Sequence, residues 1–397
     1  MTRWGGADRT AVKARIATSA MFFTNGAIFA SIVPRYPEIK EQLELSNAAY
    51  GVVIAMNPVG AMVAGLAAAA LLRRFGSANV AAATSVGLAV GVLGAALSPA
   101  VIPLALALFF AGTMDAITDV AQNAHGLRVQ KRMGKSIINS LHAIWSAGAV
   151  SGGALAAGAI ALGLSPAAHI AITSTLFALV ALVARTWALP GPESESGRTE
   201  EIRLATAAGG VTARTVVVVA ALVVIAMGGG LIEDVGATWA ALYLGGIGAD
   251  PVLAAAGFTV LILAQFVGRM VSDPITDRFG PRTVTLAGGL FIAVGVGLAI
   301  LVPTVPTVLV GFALAGFGSA PIIPLAMQEA DRLPGLRPGT GLTIVTWLMR
   351  MAFLFSPPLV GLIADGVSLR AGLLVSAVGG ILVVALCGAL PRREKKE

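Results

Sequence analysis

Asp115, Asp119 and Asn123 stand four residues apart in "GTMDAITDVAQNAHG", directly after the uncharged run "VIPLALALFFA". A spacing of four stacks side chains on one helix face, about 6 Å apart at a rise of 1.5 Å per residue. A carboxylate in an apolar run favours its neutral form and can exchange a proton at physiological pH. The column therefore reads as a proton or cation relay. A second reading keeps Asp119 and Asn123 as a gate network near Arg128 and Lys131. "GGGLIEDVGATW" adds Glu233 and Asp234, adjacent and so about 100° apart around a helix, after three glycines that can unwind it. Trp239, six residues beyond Glu233, suits stacking on a ring or sugar face, or an aromatic belt at a membrane surface. Arg350 in "WLMRMAFLFSPP" cannot lose its proton and needs an anion, either a seventh-span acid or a substrate. His142, Trp145 and Ser146 lie at i, i+3 and i+4 on one face, where His142 can shuttle a proton or simply bond a carbonyl. Asn25, Asn57 and Gln265 are amides in apolar runs, able to bind a solute hydroxyl or to bond across helices.

These groups sit in a chain of 397 residues that is 57% hydrophobic and only 12% charged. Soluble domains carry about 25% charged residues. The apolar runs reach roughly 20 residues, enough to cross a hydrocarbon core of about 30 Å. A multi-pass membrane protein is expected, with the bilayer as its environment. An ionisable group at mid-helix there costs roughly 2.5–3.5 kcal/mol, so the residues above need partners or a task. The net charge of +7 reports topology and not nucleic-acid binding, because the basic residues flank the apolar runs. One cysteine, Cys387, excludes an internal disulfide. The first apolar run has no usual cleavage site after it and reads as a retained helix.

Twelve spans are expected, near 14–36, 48–71, 79–98, 101–124, 137–162, 166–189, 215–244, 252–274, 282–302, 306–329, 339–364 and 368–390. With the N-terminus in the cytosol, nearly every basic residue falls on the cytosolic side, and only Arg35, Lys40 and Arg370 fall opposite. That asymmetry puts both termini in the cytosol. The polar stretch at 190–212 reads as a cytosolic linker between six-helix bundles at 1–189 and 213–397. The halves repeat at an offset of 204: "RRFGSANV" at Arg73 matches "DRFGPRTV" at Asp277, and Ala111-Gly112 matches Ala315-Gly316. Repeated halves are a usual plan of secondary transporters.

The "DRFGPR" loop, its degenerate copy "RRFGSA" and the central linker resemble the major facilitator superfamily along essentially the whole chain. "DVAQNAHGLRVQKRMGKSIINSLHAIWSAG", "IEDVGATWAALYL" and "SPPLVGLIAD" resemble, more narrowly, a bacterial inner-membrane branch near the fucose permease group. The resemblance implies an all-α fold of two pseudo-symmetric six-helix bundles around a central cavity, working by alternating access. It favours Glu233 as a functional acid beside Asp115, Asp119 and Asp234. It makes Arg74, Gly76, Asp273, Asp277, Arg278 and Gly280 cytosolic gate elements, and Arg269, four residues before Asp273 near the cytosolic end of the eighth span, reads as a gate element with it. Two positions depart from the family pattern: Arg73 and Gln130 stand where acids are expected, which puts a symmetric latch in doubt.

The function implied is transport of a small polar solute, sugar-like or anionic, across the bacterial inner membrane, by a monomer and coupled to protons. No cofactor, metal or nucleic acid is expected. His125, His142 and His169 form no zinc-binding pattern, and no phosphate-binding GxxxxGK[ST] loop occurs, so neither an enzyme nor an ATP-driven pump is expected. "GAVSGGALAAG" has glycines without the proline common in drug antiporters, which favours symport. Proton-antiport efflux and a non-transporting receptor remain the alternatives.

Overall fold

A computed structural model describes residues 9–190, 212–336 and 339–391, and no side chain of Leu66 or Asn139. The expected linker at 190–212 and the basic C-terminal run fall almost wholly outside these residues. Every regular element described is a helix, and twelve spans are long and apolar enough to cross a membrane. In lipid, helices satisfy their own backbone hydrogen bonds, which is why the long Ala-, Val-, Leu- and Gly-rich runs become spans. Their starts carry recognisable caps. Ser46, Ser165, Thr212, Asp250 and Ser368 each accept a first-turn backbone N–H, and Pro166 and Pro251 open the helices after Ser165 and Asp250. Gln130 explains its own departure: its Oε1 accepts from the N–H groups of Ile137 and Ile138, at 2.8 and 3.4 Å, and so caps the fifth span.

Two compact units emerge. Unit 1 runs up to Leu43 and resumes at Met56 until the central polar segment, and unit 2 takes Glu44–Ala55 and the chain beyond that segment. This grouping departs from a plain six-plus-six division at one place. The second span is broken at Ala55 into Asn47–Ile54 and Met56–Phe75, and its first piece belongs to unit 2. Asp365 supplies the physical reason. Its Oδ1 accepts from Asn47 N and Nδ2 at 3.0 and 2.9 Å, and its Oδ2 from Ala48 N at 2.7 Å. Tyr50 adds a hydrogen bond from its hydroxyl to the Thr238 carbonyl, 2.8 Å, and an edge-on contact with Trp239.

Within each unit the same helix pairs pack: first with fifth, second with fourth and third with fourth in unit 1, and their counterparts in unit 2. The repeat extends to atoms. A Cβ on Gly112 would collide with the Asn57 carbonyl, and one on Gly316 with the Leu261 carbonyl, a pair displaced by the same 204 residues. Gly76 and Gly280 turn the chain with φ 77° and ψ 149°, and φ 81° and ψ 155°. Both conformations favour glycine. Arg74 lies over Phe75 at 5.2 Å, as Arg278 lies over Phe279 at 5.3 Å.

Candidate functional site

In unit 1 the acidic column of the fourth span (Val101–Met133) meets the polar face of the fifth (Ser140–Ala161) in two short chains of hydrogen bonds. Trp145 Nε1 donates to Asn25 Oδ1 at 2.7 Å, and Asn25 Nδ2 donates to Asp115 Oδ1 at 2.7 Å. An indole can only donate, so Asn25 must turn its oxygen to Trp145 and its amide nitrogen to Asp115. The first span brings Asn25 there because Gly148 and Gly152 let its backbone lie directly on the fifth span. One turn further along, Asn123 Nδ2 donates to Asp119 Oδ1 at 2.9 Å, and Asn123 Oδ1 faces His142 Nε2 at 3.2 Å. With an amide oxygen opposite it, His142 Nε2 carries a hydrogen. Phe22 closes on the His142 ring edge-on at 5.4 Å. Asp115 is half-buried, whereas Asp119 and His142 are exposed. The structure thus joins Asn25, Asp115 and Trp145 in one chain and Asp119, Asn123 and His142 in the other. Asn57 contributes its carbonyl to the Gly112 crossing instead.

Unit 2 holds a different network at the same register. Gln265 Nε2 donates to Glu233 Oε2 at 3.0 Å and to Ser319 Oγ at 3.3 Å. Ser319 is the counterpart of Asp115 at the offset of 204, a signal that the repeat contained and that residue type concealed. Arg269 Nη2 lies 3.9 Å from Glu233 Oε2, with the two side chains 33% and 23% exposed. Arg269, expected as a gate residue, therefore also reaches Glu233. Asp234 points elsewhere. Its Oδ2 is buried, with the Ser356 hydroxyl beside it. Trp239 is fully buried against Tyr50 and offers no open ring face. Arg350 is half-buried in the eleventh span (Thr340–Gly366). Among the remaining gate residues Asp273, Asp277 and Arg278 are exposed, as is Arg74. No group of three or more potential metal ligands occurs among the described residues.

Twelve spans and a repeated six-helix plan define a multi-pass membrane protein with the fold of a secondary transporter. Known proteins agree. The sequence model of the Major Facilitator Superfamily matches residues 234–397. An uncharacterized transporter of Sinorhizobium fredii is 27% identical over 375 residues, covering 94% of this chain and 97% of the relative. Among solved structures, the partially occluded, inward-open xylose transporter XylE of E. coli superposes with a TM-score of 0.73, at 12% identity, over 98% of this chain and 100% of that one. The nucleoside transporter NupG does so with 0.68 at 14% identity, over 96% and 98%. The chain has the major facilitator fold, and it resembles major facilitator superfamily transporters over nearly its whole length.

Proposed function

We propose that this protein is a proton-coupled carrier of a small polar solute, sugar-like or anionic, acting as a monomer in the bacterial inner membrane with both termini in the cytosol. One observation carries the reading: Asp115, in a membrane-spanning helix and directly after an uncharged run, is held by a donor chain that begins at Trp145. A membrane carboxylate costs free energy, and a dedicated donor holds it in one rotamer. Because Asp115 Oδ1 accepts from Asn25 Nδ2, proton uptake at that carboxyl and the hydrogen-bond chain are linked. Glu233 serves in the same way in unit 2, where Gln265 and Arg269 hold it. The solute is read by Asn123, His142 and Arg350 together with the exposed edge of these networks. Alternating access by rocking of one unit against the other is the expected cycle.

The test is uptake by proteoliposomes carrying the purified protein. A defined mixture of sugars, nucleosides and organic acids is offered with and without an inward proton gradient, and the lumen is analysed by mass spectrometry. Accumulation of one solute only when the gradient is present supports the reading. Equal accumulation without a gradient contradicts proton coupling, and export driven by the gradient contradicts symport.

A further inference from the structure

Asn25 bridges two spans at once. Its oxygen accepts from Trp145 of the fifth span and its nitrogen donates to Asp115 of the fourth, both at 2.7 Å. The bridge holds only while the first span keeps its register against both neighbours. Against the fifth span, backbone packing sets that register. A Cβ on Gly26 would collide with the Trp145 carbonyl, and Cβ atoms on Gly148 and Gly152 would collide with the Phe23 and Ala27 carbonyls. Packing this close leaves little room to slide. Against the fourth span the arrangement differs. First-span backbone is not among the atoms closest to a Cβ on Gly112 or Gly126, the two glycines of that span. Side chains must set the register there.

Gln122 does so. It is 1% exposed and stands seven residues after Asp115, about two turns along the fourth span and on nearly the same face. Its Nε2 donates to the Met21 carbonyl at 2.9 Å. A carbonyl can only accept, so the orientation of the amide is settled. The point of attachment matters. In the helix Arg9–Ile32, the backbone N–H that the Met21 carbonyl receives is that of Asn25, four residues on. Thr24 Oγ1 donates to the same oxygen at 2.9 Å. Gln122 therefore holds the carbonyl to which the backbone of Asn25 is bonded. One tie between two helices lets them pivot about it, whereas Asn25–Asp115 and Met21–Gln122 together fix tilt and register. Thr118 is an internal comparison. Its Oγ1 meets Thr84 Oγ1 of the third span at 2.7 Å, which fastens the same fourth span without touching the first.

We propose that Gln122 is a positioning residue for Asp115: by holding the Met21 carbonyl, it keeps Asn25 in the register that joins Trp145 to Asp115. Its part in coupling rests on the carrier reading, so the test begins with a measurement that needs no solute. The full chain is prepared in detergent with isotope-labelled tryptophan, and the indole N–H resonance of Trp145 is assigned by its loss in Trp145→Phe. Asn25→Leu should move that resonance upfield, because the indole loses its acceptor. Gln122→Met keeps the side-chain length and removes the donor. It should move the resonance in the same direction by less, and add nothing in the Asn25→Leu background, since changes that act through one bond are not additive. Thr118→Val should leave the resonance near its wild-type place. Gradient-driven uptake by proteoliposomes is measured second. Gln122→Met should lower it about fivefold, the scale of one neutral hydrogen bond, and again add nothing to Asn25→Leu. The proposal is overturned if Gln122→Met leaves the Trp145 resonance in place, if its displacement adds to that of Asn25→Leu, or if Thr118→Val moves the resonance as far. A displaced resonance with unchanged uptake supports the positioning and contradicts Asp115 as the coupling acid. Should Gln122→Met not yield folded protein, Gln122→Leu is read by the same criteria.

Discussion

Asn25 donates to Asp115 at 2.7 Å across the first and fourth spans, and the direction of that bond is fixed by Trp145 on the other side of the same amide. Asn25→Leu removes both bonds and takes that donor away from the carboxylate. A hydrogen bond to a charged group is worth about 1.5–3 kcal/mol. Gradient-driven uptake should therefore fall by about tenfold or more. Trp145→Phe keeps the donor to Asp115 and frees the amide to flip, so its loss should be smaller. Uptake rates of the two variants, measured at equal protein content, check the order. A larger loss in Trp145→Phe contradicts the chain as drawn.

The glycine crossings make a prediction that needs no substrate. Gly112→Ala and Gly316→Ala each drive a methyl into a carbonyl oxygen of the neighbouring helix. Overpacking of this kind costs about 1–3 kcal/mol. Gly158→Ala meets nothing within 4 Å and gains helix propensity of about 1 kcal/mol. Thermal midpoints in detergent should fall for the first two and hold or rise for the third.

Asp365 binds the first turn of Asn47–Ile54 through three donors. Asp365→Ala should release that turn while leaving the rest of unit 2 packed. Amide hydrogen exchange at Asn47 and Ala48 reads this directly. Exchange should quicken by about tenfold or more. Unchanged exchange there shows that Tyr50 and the helix crossing hold the segment alone.

Arg269 is the cation beside Glu233, and Gln265 is its neutral donor. Arg269→Gln should lower uptake, and Arg269→Lys should restore part of it, because charge is kept while the guanidinium fork is lost. The same pair of changes at Arg278, which is exposed, should alter uptake less. Equal effects at both positions point to net charge and not to the Glu233 contact.

Much of this was legible in the sequence. Hydropathy marked all twelve spans, because lipid forces each apolar run into a helix of known length. The offset of 204 located the glycine crossings and both glycine turns. The spacing of Asp115, Asp119 and Asn123 placed them on one face, and that of His142 and Trp145 placed them on another. What spacing could not supply was which faces meet. Ser319 was passed over because a serine does not announce itself as the counterpart of an aspartate. Gln130 looked like a defect in a motif until its capping bonds were visible. Arg35 read only as one of three basic residues on the side opposite the termini, yet it is 1% exposed and held by Glu38 at 2.7 Å and His169 at 3.4 Å. The approach of Arg269 to Glu233 was not legible, because i to i+4 spacing within a span says nothing about the helix beside it. Asn47–Ile54 grouped with unit 2 through Asp365, some 318 residues away, a separation at which no local pattern speaks.

The most direct test of proton coupling separates binding and movement from accumulation. Asp115→Asn and Glu233→Gln are each compared with wild type in proteoliposomes, first for exchange of solute at equal pH, then for accumulation against an inward proton gradient. The account predicts that Asp115→Asn keeps exchange and loses accumulation, with Glu233→Gln impaired in the same sense. Accumulation that survives unchanged in both variants would contradict it.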